Sequence, residues 1–350
     1  MRCESILHAI GGTPLVRLRT VPAPGSATVY AKLEGRNPTG SVKVRAALGM
    51  VRQAEADGRL RPGGVLVESS SGNMAVALAM VAAALGYQMI AVIDPRTTPV
   101  NRAMLRAYGA RTELVTEPDA AGGYQTVRLA RARELARSLP TAVLTYQYGN
   151  PANPRAHAET TGPEILRALG GAPDCVVAGV SSGGQVSGIG RVLRPAGSRV
   201  CAADTVGSSI FGARWAPHLV RGVGLSWTPE NLDPSVVDEA YAVPDELSFA
   251  AARLLAAHEG ILAGGSSGLV LAVALATARE LGPGRTVVAV LADRGEKYLD
   301  QFYDDRWCAE HGLDLAGWDL ARLRTEAAAL RPVGYPAGEA SGAGHDRRAA

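Results

Sequence analysis

A single lysine, Lys43, follows a turn-forming segment at the start of an Ala-rich stretch that predicts a helix. The segment from Asn37 to Gly40 reads NPTG, and the residues after Lys43 read VRAALGM. A lysine in the first turn of a helix is usually a solvated charge, placed unfavourably beside the positive end of the helix dipole. A lysine amine in a cleft could instead act as a nucleophile toward a carbonyl group. The position alone leaves both interpretations open.

Three loops rich in serine and glycine stand out, of which the first two could bind anions and the third, taken alone, is a tight turn. They read ESSSGNMA (68–75), GVSSGGQVSG (179–188) and GILAGGSSG (260–268). The first two follow predicted strands and begin predicted helices, so hydroxyls, backbone N–H groups and a helix dipole converge there. Gly183 and Gly184 let the backbone approach an anion closely, in a spacing that is neither a P-loop nor a dinucleotide fingerprint. Serine helix caps and a tight turn are the simpler alternatives.

The elements that must position these loops alternate regularly along the chain. Short apolar runs such as GGVLVES (63–69) are followed by Ala/Leu-rich stretches such as NMAVALAMVAAALG (73–86), and the alternation resumes after Pro154. This pattern is typical of βαβ units on parallel sheets. It predicts an α/β fold of two doubly wound lobes. In such sheets ligands bind beyond the carboxyl ends of the strands, where the serine and glycine loops would lie.

Composition limits the functional classes. The 350 residues carry 36 basic and 33 acidic side chains, a net charge of +3, without the basic stripe of a nucleic-acid binder. The four cysteines lie far apart with no CxxC spacing, which argues against a metal site and a disulfide framework. A signal peptide and an apolar run of roughly 18 residues are both absent from the sequence, which predicts no membrane contact and a cytoplasmic location.

Six motifs together resemble those of a known enzyme family. The chain from about residue 5 to 310 resembles the cysteine synthase/cystathionine β-synthase group of fold type II pyridoxal phosphate enzymes, through the motifs IGGTPLVRL, NPTGSVKVRAA, SSGNMAVALA, NPANPRAHAETTGPEI, AGVSSGGQVSGIGR and GILAGGSSG. The resemblance implies a tryptophan synthase β-like fold and a homodimer. It divides the chain into an N-terminal segment partly joining the large lobe, a small mobile lobe, a large cofactor-binding lobe and a disordered tail, at residues 1–34, 35–150, 151–325 and 326–350.

The resemblance implies a role for each anion-binding loop. Lys43 would carry pyridoxal 5'-phosphate covalently, Asn73 would hydrogen-bond the ring hydroxyl and Ser266 would face the pyridine nitrogen. The cofactor phosphate would lie on Ser181, Ser182, Gly183, Gly184 and Gln185, where SSGGQ departs from the glycine and threonine that are usual in the family. The substrate carboxylate would lie on Ser70, Ser71, Gly72, Asn73 and Gln147.

These roles imply a reaction class. A neutral serine hydroxyl at the pyridine nitrogen does not hold this nitrogen protonated, so the ring is a weaker electron sink and β-elimination is favoured. With Lys43 as base, the expected reaction is β-replacement on an activated L-serine. A protein that binds the cofactor or another anion without chemistry is the alternative from another class.

Three segments favour one β-replacement over others. EPDAAGGYQTVR, SIFGARWAPHLVRGVGLSWTPENL and LADRGEKYLDQFYDDRW resemble the enzymes of 2,3-diaminopropionate biosynthesis, which join O-phospho-L-serine to L-glutamate for siderophores and peptide antibiotics. A phosphate leaving group carries about 1.5 to 2 negative charges and needs additional donors. The candidates for it are Arg128, Tyr148 and Ser181, and those for the glutamate carboxylates are Arg214, His218 and Arg221. A cysteine synthase with altered surface loops is the alternative.

Overall fold

The computed structural model describes residues 2–120 and 122–334, whose strands form two sheets. In chain order the strands are β1 (Leu15–Arg17), β2 (Thr28–Leu33), β3 (Val65–Ser69), β4 (Gln88–Ile93), β5 (Arg111–Leu114), β6 (Ala142–Leu144), β7 (Cys175–Gly179), β8 (Arg199–Thr205), β9 (Glu239–Val243), β10 (Thr286–Leu291) and β11 (Pro332–Val333). The larger sheet has the order β1-β2-β10-β7-β8-β9-β11, and the smaller has the order β5-β4-β3-β6.

Parallel pairing dominates both sheets. The smaller sheet is parallel throughout, and the larger is parallel except for β1 against β2 and β11 against β9. β3 and β10 are buried almost along their whole length, as expected of strands covered on both faces. The predicted α/β architecture with parallel sheets is confirmed.

Helices cover both faces of each sheet. They are α1 (Lys43–Ala56), α2 (Asn73–Leu85), α3 (Pro99–Ala107), α4 (Gln125–Ser138), α5 (Ala152–Ala156), α6 (Gly162–Leu169), α7 (Gly184–Leu193), α8 (Asp245–Glu259), α9 (Gly265–Leu281), α10 (Asp305–Glu310) and α11 (Leu320–Ala329). In the smaller sheet Leu66 of β3 packs in the same core cluster as α2, and its neighbour Val67 packs with α4. In the larger sheet α8 and α9 pack on one face and α7 on the other.

The segment RAHAETTGPEILRALG (155–170), whose sequence predicts one helix, is helical but not a regular α-helix throughout. A π-helical turn, His157–Thr161, separates α5 from α6. Pro163 has no N–H for the carbonyl of residue 159, and its ring would press on that carbonyl, so a regular α-helical ladder cannot continue through this point. The segment is therefore helical as the sequence predicts, with one π-helical turn inside the helix.

The two ends of the described chain join the larger sheet. β1 and β2 from the N-terminal segment form one edge, and β11 pairs antiparallel with β9 at the other. Leu323 and Ala327 of α11 are fully buried. The predicted disordered tail, 326–350, is therefore wrong for residues 326–334, and the remainder lies outside the described residues. None of the described helices is long and apolar enough to cross a membrane.

Candidate active site

The strand orders reverse at two points, and each reversal opens a crevice at the carboxyl ends of the strands. In the smaller sheet β4 lies on one side of β3 and β6 on the other, so the loops after β3 and β6 diverge. In the larger sheet β8 and β10 flank β7 in the same way. Ligands of doubly wound sheets bind at such reversals. The loop after β3 contacts the loop after β10, so the two crevices face each other.

Lys43 begins α1 directly beside the end of β10. The residues before it pair with the chain after that strand: Val42 N donates to Ala292 O (2.8 Å), and Ser41 forms a β-bridge with Asp293. Burial lowers the pKa of the Lys43 amine, and the nearby Asp293 carboxylate opposes this shift. The Lys43 residue as a whole is half-buried. Its lowered pKa favours the deprotonated amine, the form that acts as a nucleophile or a base.

A polar cluster around Asp293, the residue that also lies near Lys43, fixes the Asn73 amide. Asn73 Nδ2 donates to Asp293 Oδ2 (2.7 Å), and Asn73 Oδ1 accepts from Lys297 Nζ (2.6 Å). Tyr298 donates its hydroxyl to the same Asp293 oxygen (2.6 Å). Burial raises the pKa of Asp293, with its hydrogen-bond partners and Lys43 opposing, and burial lowers the pKa of Lys297. Asp293 and Lys297 thus determine the orientation of the Asn73 amide.

Helix α1 is anchored by a buried ion network two residues beyond Lys43. Arg45 donates to Glu34 (Nε to Oε2, 2.7 Å) and to Glu164 (Nη1 to Oε1, 2.7 Å), and Lys32 Nζ also reaches Glu164 Oε2 (2.6 Å). Burial alone would lower the pKa of Arg45, but its hydrogen bonds with the two carboxylates outweigh burial and raise it. The network ties β2, α1 and α6 together and thereby fixes the start of α1.

The loop after β3 is held by hydrogen bonds on one side and borders open space at Gly72. Ser70 Oγ accepts from Gly72 N (3.3 Å), and Ser71 O accepts from Asn101 Nδ2 (3.2 Å) on α3. A Cβ atom built on Gly72 would meet no other atom within 4 Å. The loop is therefore supported by α3 and open to a ligand at Gly72. Because it lies at the N-terminus of α2, it is suited to bind a carboxylate.

Gln147, in the loop after β6, lies against the same loop. Its side-chain Nε2 reaches Ser69 O (3.5 Å), and its backbone N donates to Glu68 Oε2 (3.2 Å). Thr145 donates its hydroxyl to the same carboxylate. Burial raises the pKa of Glu68 to about 7, although these hydrogen bonds oppose the shift. The structure thus brings together the residues predicted to bind the substrate carboxylate.

The loop after β7 requires glycine at two positions. Gly183 has a φ of 78°, and a Cβ on it would lie 2.5 Å from Leu232 N. A Cβ on Gly184 would lie 2.1 Å from Asn153 Oδ1. Asn153 Nδ2 in turn donates to Ser182 Oγ (3.0 Å). Asn153 and Leu232 pack directly against the loop and leave no room for side chains at the two glycines. An anion can therefore approach the backbone N–H groups at the start of α7.

The start of α9 lies under the long loop that follows β8. Ser266 is the second residue of α9 and is buried. A Cβ on Gly222 would come 3.9 Å from Ser266 Oγ, so this loop passes directly over the hydroxyl. The hydroxyl that was predicted to face the pyridine nitrogen is therefore in the interior and beside the loops of the cleft.

Arg128 is a buried cation rather than a solvated helix residue. It is 6% exposed, and its Nε pairs with Asp94 Oδ2 (3.1 Å) at the end of β4. Its Nη1 is buried without a hydrogen-bond partner among the described residues. The hydroxyl of Tyr148 lies within its electrostatic reach: burial raises the pKa of Tyr148 to about 12, and Arg128 opposes that shift.

The remaining predicted cations lie on the loop after β8. Arg221 is exposed and donates through Nη1 to Arg96 O (3.0 Å), which joins this loop to the smaller sheet. The half-buried His218 ring contacts Val220 O through Nδ1 (3.0 Å), and burial lowers its pKa. Arg214 is exposed. The structure brings Arg221 near the cleft, whereas His218 is occupied within its own loop.

The residues around the cleft fit pyridoxal phosphate. Gln185 Nε2, at the start of α7, is buried without a partner within 2–120 and 122–334, as expected beside a site for an anion. Ser181 is half-buried at the same loop. The other groups that fit the cofactor are the Lys43 amine of lowered pKa, the oriented Asn73 amide and the buried Ser266 hydroxyl. These are the groups that would hold the aldehyde, the ring oxygen and the ring nitrogen.

Comparison with known proteins agrees with this geometry. A family model described as pyridoxal-phosphate dependent enzyme matches residues 6–293. The chain belongs to this family. It is an enzyme of the cysteine synthase group, it uses pyridoxal phosphate, and its reaction class is β-replacement.

Individual relatives cover most of the chain. It is 45% identical, over 91% of its length and 94% of the relative, to N-(2-amino-2-carboxyethyl)-L-glutamate synthase from Ralstonia nicotianae. It is 39% identical to a cysteine synthase from Staphylococcus aureus, over 85% of its length and 95% of the relative. Among solved structures, O-ureido-L-serine synthase superposes with a TM-score of 0.81 and 38% identity, over 92% of this chain and 99% of that one.

Sequence reasoning assigned no role to Asp293, Lys297, Tyr298 or Glu68. A signal for the first three exists: the apolar run TVVAVL is followed at once by ADRGEKY, which places charged and aromatic residues at the carboxyl end of a buried strand. Glu68 could have been noticed as a carboxylate inside the otherwise apolar run VLVES. A charge in such a strand requires a hydrogen-bonded environment or a shifted pKa.

Proposed function

We propose that this protein joins O-phospho-L-serine to L-glutamate, forming N-(2-amino-2-carboxyethyl)-L-glutamate and phosphate for 2,3-diaminopropionate in siderophore or peptide natural product biosynthesis. The bond from Cβ to the phosphate oxygen breaks, the glutamate nitrogen bonds to Cβ, and the nitrogen loses a proton to the medium. The observation that carries the proposal is the buried Arg128, whose Nη1 has no partner among the described residues. The relatives named for this product support it.

The chain's own residues supply binding, orientation and proton transfer. Pyridoxal phosphate, when bound, withdraws electrons from Cα of the amino acid. Lys43 Nζ, whose pKa is lowered, takes the Cα proton and returns it to Cα after the glutamate nitrogen has bonded to Cβ. The loop from Ser70 to Gly72 holds the substrate carboxylate through hydroxyl and backbone N–H donors, and Gln147 adds its side-chain amide. Asn73, oriented by Asp293 and Lys297, donates to the ring oxygen.

The leaving phosphate is assigned to Arg128, with Tyr148 and Ser181 as further candidate donors. A buried arginine with a free N–H is suited to a phosphate dianion because charge-assisted hydrogen bonds are stronger in a site from which water is excluded. Asp94 neutralises one side of the guanidinium and keeps its orientation. An acetate leaving group, with less negative charge than phosphate, would not need the Arg128 guanidinium.

The glutamate carboxylates are assigned to the loop after β8. Arg221 is the best placed of its cations because it contacts the smaller sheet across the cleft. Arg214 and His218 are the further candidates on this loop, and neither forms a salt bridge within the described ranges. Sulfide as a nucleophile would need none of these cations.

Cysteine synthase activity is the second candidate. The Staphylococcus aureus cysteine synthases, 39% identical over most of the chain, favour it. The deciding experiment offers O-acetyl-L-serine and O-phospho-L-serine separately, each with sulfide or L-glutamate, and identifies the products by mass spectrometry. We expect the glutamate adduct from phosphoserine. Cysteine from acetylserine and sulfide, with no glutamate adduct, would replace our proposal with cysteine synthase.

The cofactor attachment and the assembly are tested independently of the substrate. Borohydride reduction followed by peptide mapping should place the label on Lys43, and a label on another lysine would contradict that assignment. We also propose a homodimer, with a mobile small lobe (35–150) closing on a large lobe (151–325). Light scattering coupled to size-exclusion chromatography should give twice the 36.3 kDa chain mass.

A further inference from the structure

The backbone carbonyl of Gln147 accepts hydrogen bonds from two buried asparagine side chains. Asn153 Nδ2, on α5, lies 2.8 Å from Gln147 O, and Asn231 Nδ2, in the loop after β8, lies 2.9 Å from the same oxygen. Asn153 is 2% exposed and Asn231 is 6% exposed. A carbonyl oxygen has two lone pairs, so the two asparagines occupy both acceptor positions of this oxygen. No step of the proposed reaction uses either asparagine.

Each of these asparagines also packs against one glycine of the loop after β7. A Cβ on Gly184 would lie 2.1 Å from Asn153 Oδ1, and a Cβ on Gly183 would lie 2.9 Å from the carbonyl carbon of Asn231. Asn153 Nδ2 also donates a second hydrogen bond, to Ser182 Oγ (3.0 Å). The two asparagines therefore connect the loop that would bind the cofactor phosphate to the loop after β6, which would bind the substrate carboxylate.

The turn that carries Gln147 has an uncommon conformation and is held on both sides. Tyr146 has a φ of 49°, which few residues other than glycine adopt. The N–H of Gln147 donates to Glu68 Oε2 (3.2 Å), so a carboxylate holds one side of this backbone and the two asparagines hold the other. Strained turns persist where several contacts determine them. These contacts therefore determine where the Gln147 side chain, which reaches Ser69 O, lies beside the carboxylate-binding loop.

The Asn153 amide also determines the direction of the Ser182 hydroxyl. Gln147 O can only accept a hydrogen bond, so the nitrogen of the amide must face it. The same nitrogen can only donate to Ser182 Oγ, which leaves the hydroxyl proton of Ser182 for an anion at the start of α7. An aspartate at position 153 would reverse this arrangement, because its carboxylate would accept the proton of the serine.

We propose that Asn153 is a positioning residue for two binding sites at once, that of the cofactor phosphate and that of the substrate carboxylate. Through one amide nitrogen it orients the Ser182 hydroxyl and holds the peptide from which the Gln147 side chain extends. Asn231 assists it on Gln147 O only. The inference rests on the proposed roles of Gln147 and of the loop after β7, and it does not depend on the leaving group or the nucleophile.

The test measures the two binding events separately in variants of the full chain. Affinity for pyridoxal phosphate is measured by fluorescence titration of the apoenzyme, and affinity for L-alanine by the change in cofactor absorbance at saturating pyridoxal phosphate. L-Alanine has the amine and carboxylate of the substrate but no leaving group, so the measurement needs no nucleophile. We expect Asn153→Ala to weaken both affinities by about five- to tenfold, since each site loses one buried hydrogen bond.

Further variants separate the two roles of Asn153. Ser182→Ala should weaken the binding of pyridoxal phosphate only, whereas Gln147→Ala and Asn231→Ala should weaken the binding of L-alanine only. Asn150→Ala is the matched control for the cofactor, because this asparagine lies just before α5 and its side chain donates to Thr145 O (2.8 Å) in the loop after β6. It should bind pyridoxal phosphate like the wild type.

Either of two results for Asn153→Ala would overturn the proposal. Unchanged affinity for L-alanine would show that Asn153 supports the phosphate loop alone, and unchanged affinity for pyridoxal phosphate would show that it supports Gln147 alone. If the alanine variant does not fold, Asn153→Asp, which has the shape of the native residue, should show the same two losses. Unchanged L-alanine binding in Gln147→Ala would contradict the role of Gln147 and the proposal with it. The product analysis with phosphoserine and glutamate decides the proposed reaction separately.

Discussion

Replacing Arg128 by alanine tests the assignment of the leaving group. The guanidinium is buried, pairs with Asp94 at 3.1 Å, and has a free Nη1. A charge-assisted hydrogen bond to phosphate contributes about 1.5 to 3 kcal/mol, and about 1.4 kcal/mol corresponds to a tenfold change. We therefore expect kcat/KM for O-phospho-L-serine to fall by about ten- to a hundredfold. O-acetyl-L-serine, with an uncharged leaving group, should lose little.

The buried partner of Arg128 complicates the single variant. Removing the arginine leaves the Asp94 carboxylate buried without its ion pair, which costs about 3 to 5 kcal/mol of stability in comparable sites. The double variant Asp94→Asn/Arg128→Ala removes the isolated charge, so its melting temperature should recover toward that of the wild type. The loss in phosphoserine use should persist in the double variant if Arg128 binds the phosphate directly.

Initial rates of phosphate release, with L-glutamate in excess, provide the assay. Arg131→Ala is the matched control, since this residue lies on the same helix, is half-buried and pairs with Glu113 (2.7 Å). A double variant with wild-type kcat/KM for phosphoserine would refute the assignment. An equal loss with acetylserine would show that Arg128 supports the cleft in general and does not select the phosphate.

Three further outcomes follow from the geometry. Gly184→Val should purify without the yellow cofactor, because even its Cβ would lie 2.1 Å from Asn153 Oδ1, and bound cofactor is measured by absorbance. Lys297→Met removes the donor to Asn73 and should weaken cofactor binding about tenfold in titrations of the apoenzyme. Burial raises the pKa of Glu68 to about 7 from 4.5, so its neutral form stabilises the fold fully below about pH 4.5, and this contribution is lost as the pH rises toward 7. Glu68→Gln should remove that dependence in urea unfolding midpoints.

The anion-binding loops could be predicted because residues close together in the sequence determine their conformation. A buried strand such as β7 is a continuous apolar run, and the glycines after it satisfy a positive φ and close packing within a few residues. β2 and β9 were not predicted, since TVYAKL and EAYAV mix apolar residues with charged ones that tertiary contacts satisfy. Lys32, for example, is buried in β2 where Thr13 O and the Glu164 carboxylate, 132 residues away, accept from its amine.

The polar cluster around Asn73 could not be predicted, for a related reason. Asn73 and Asp293 are 220 residues apart, and their hydrogen bond exists only because β3 and β10 each lie where a strand order reverses. Sequence places each residue at the carboxyl end of its strand, but the relative position of the two sheets determines the contact. The same holds for Arg128 and Asp94, whose pairing depends on how α4 crosses β4.

Lys43 and Arg45, both in the first turn of α1, have pKa values shifted in opposite directions, which explains how a lysine can be reactive there. Arg45 has two carboxylate partners, so it remains charged and holds the helix in place. Lys43, two residues earlier, has lost water without gaining a salt bridge, and it lies at the positive end of the helix dipole. Both effects disfavour its ammonium form, whereas Asp293 alone opposes them. The position that is unfavourable for a solvated lysine therefore becomes the one that supplies a neutral amine, and Arg45 makes the helix rigid enough to maintain it.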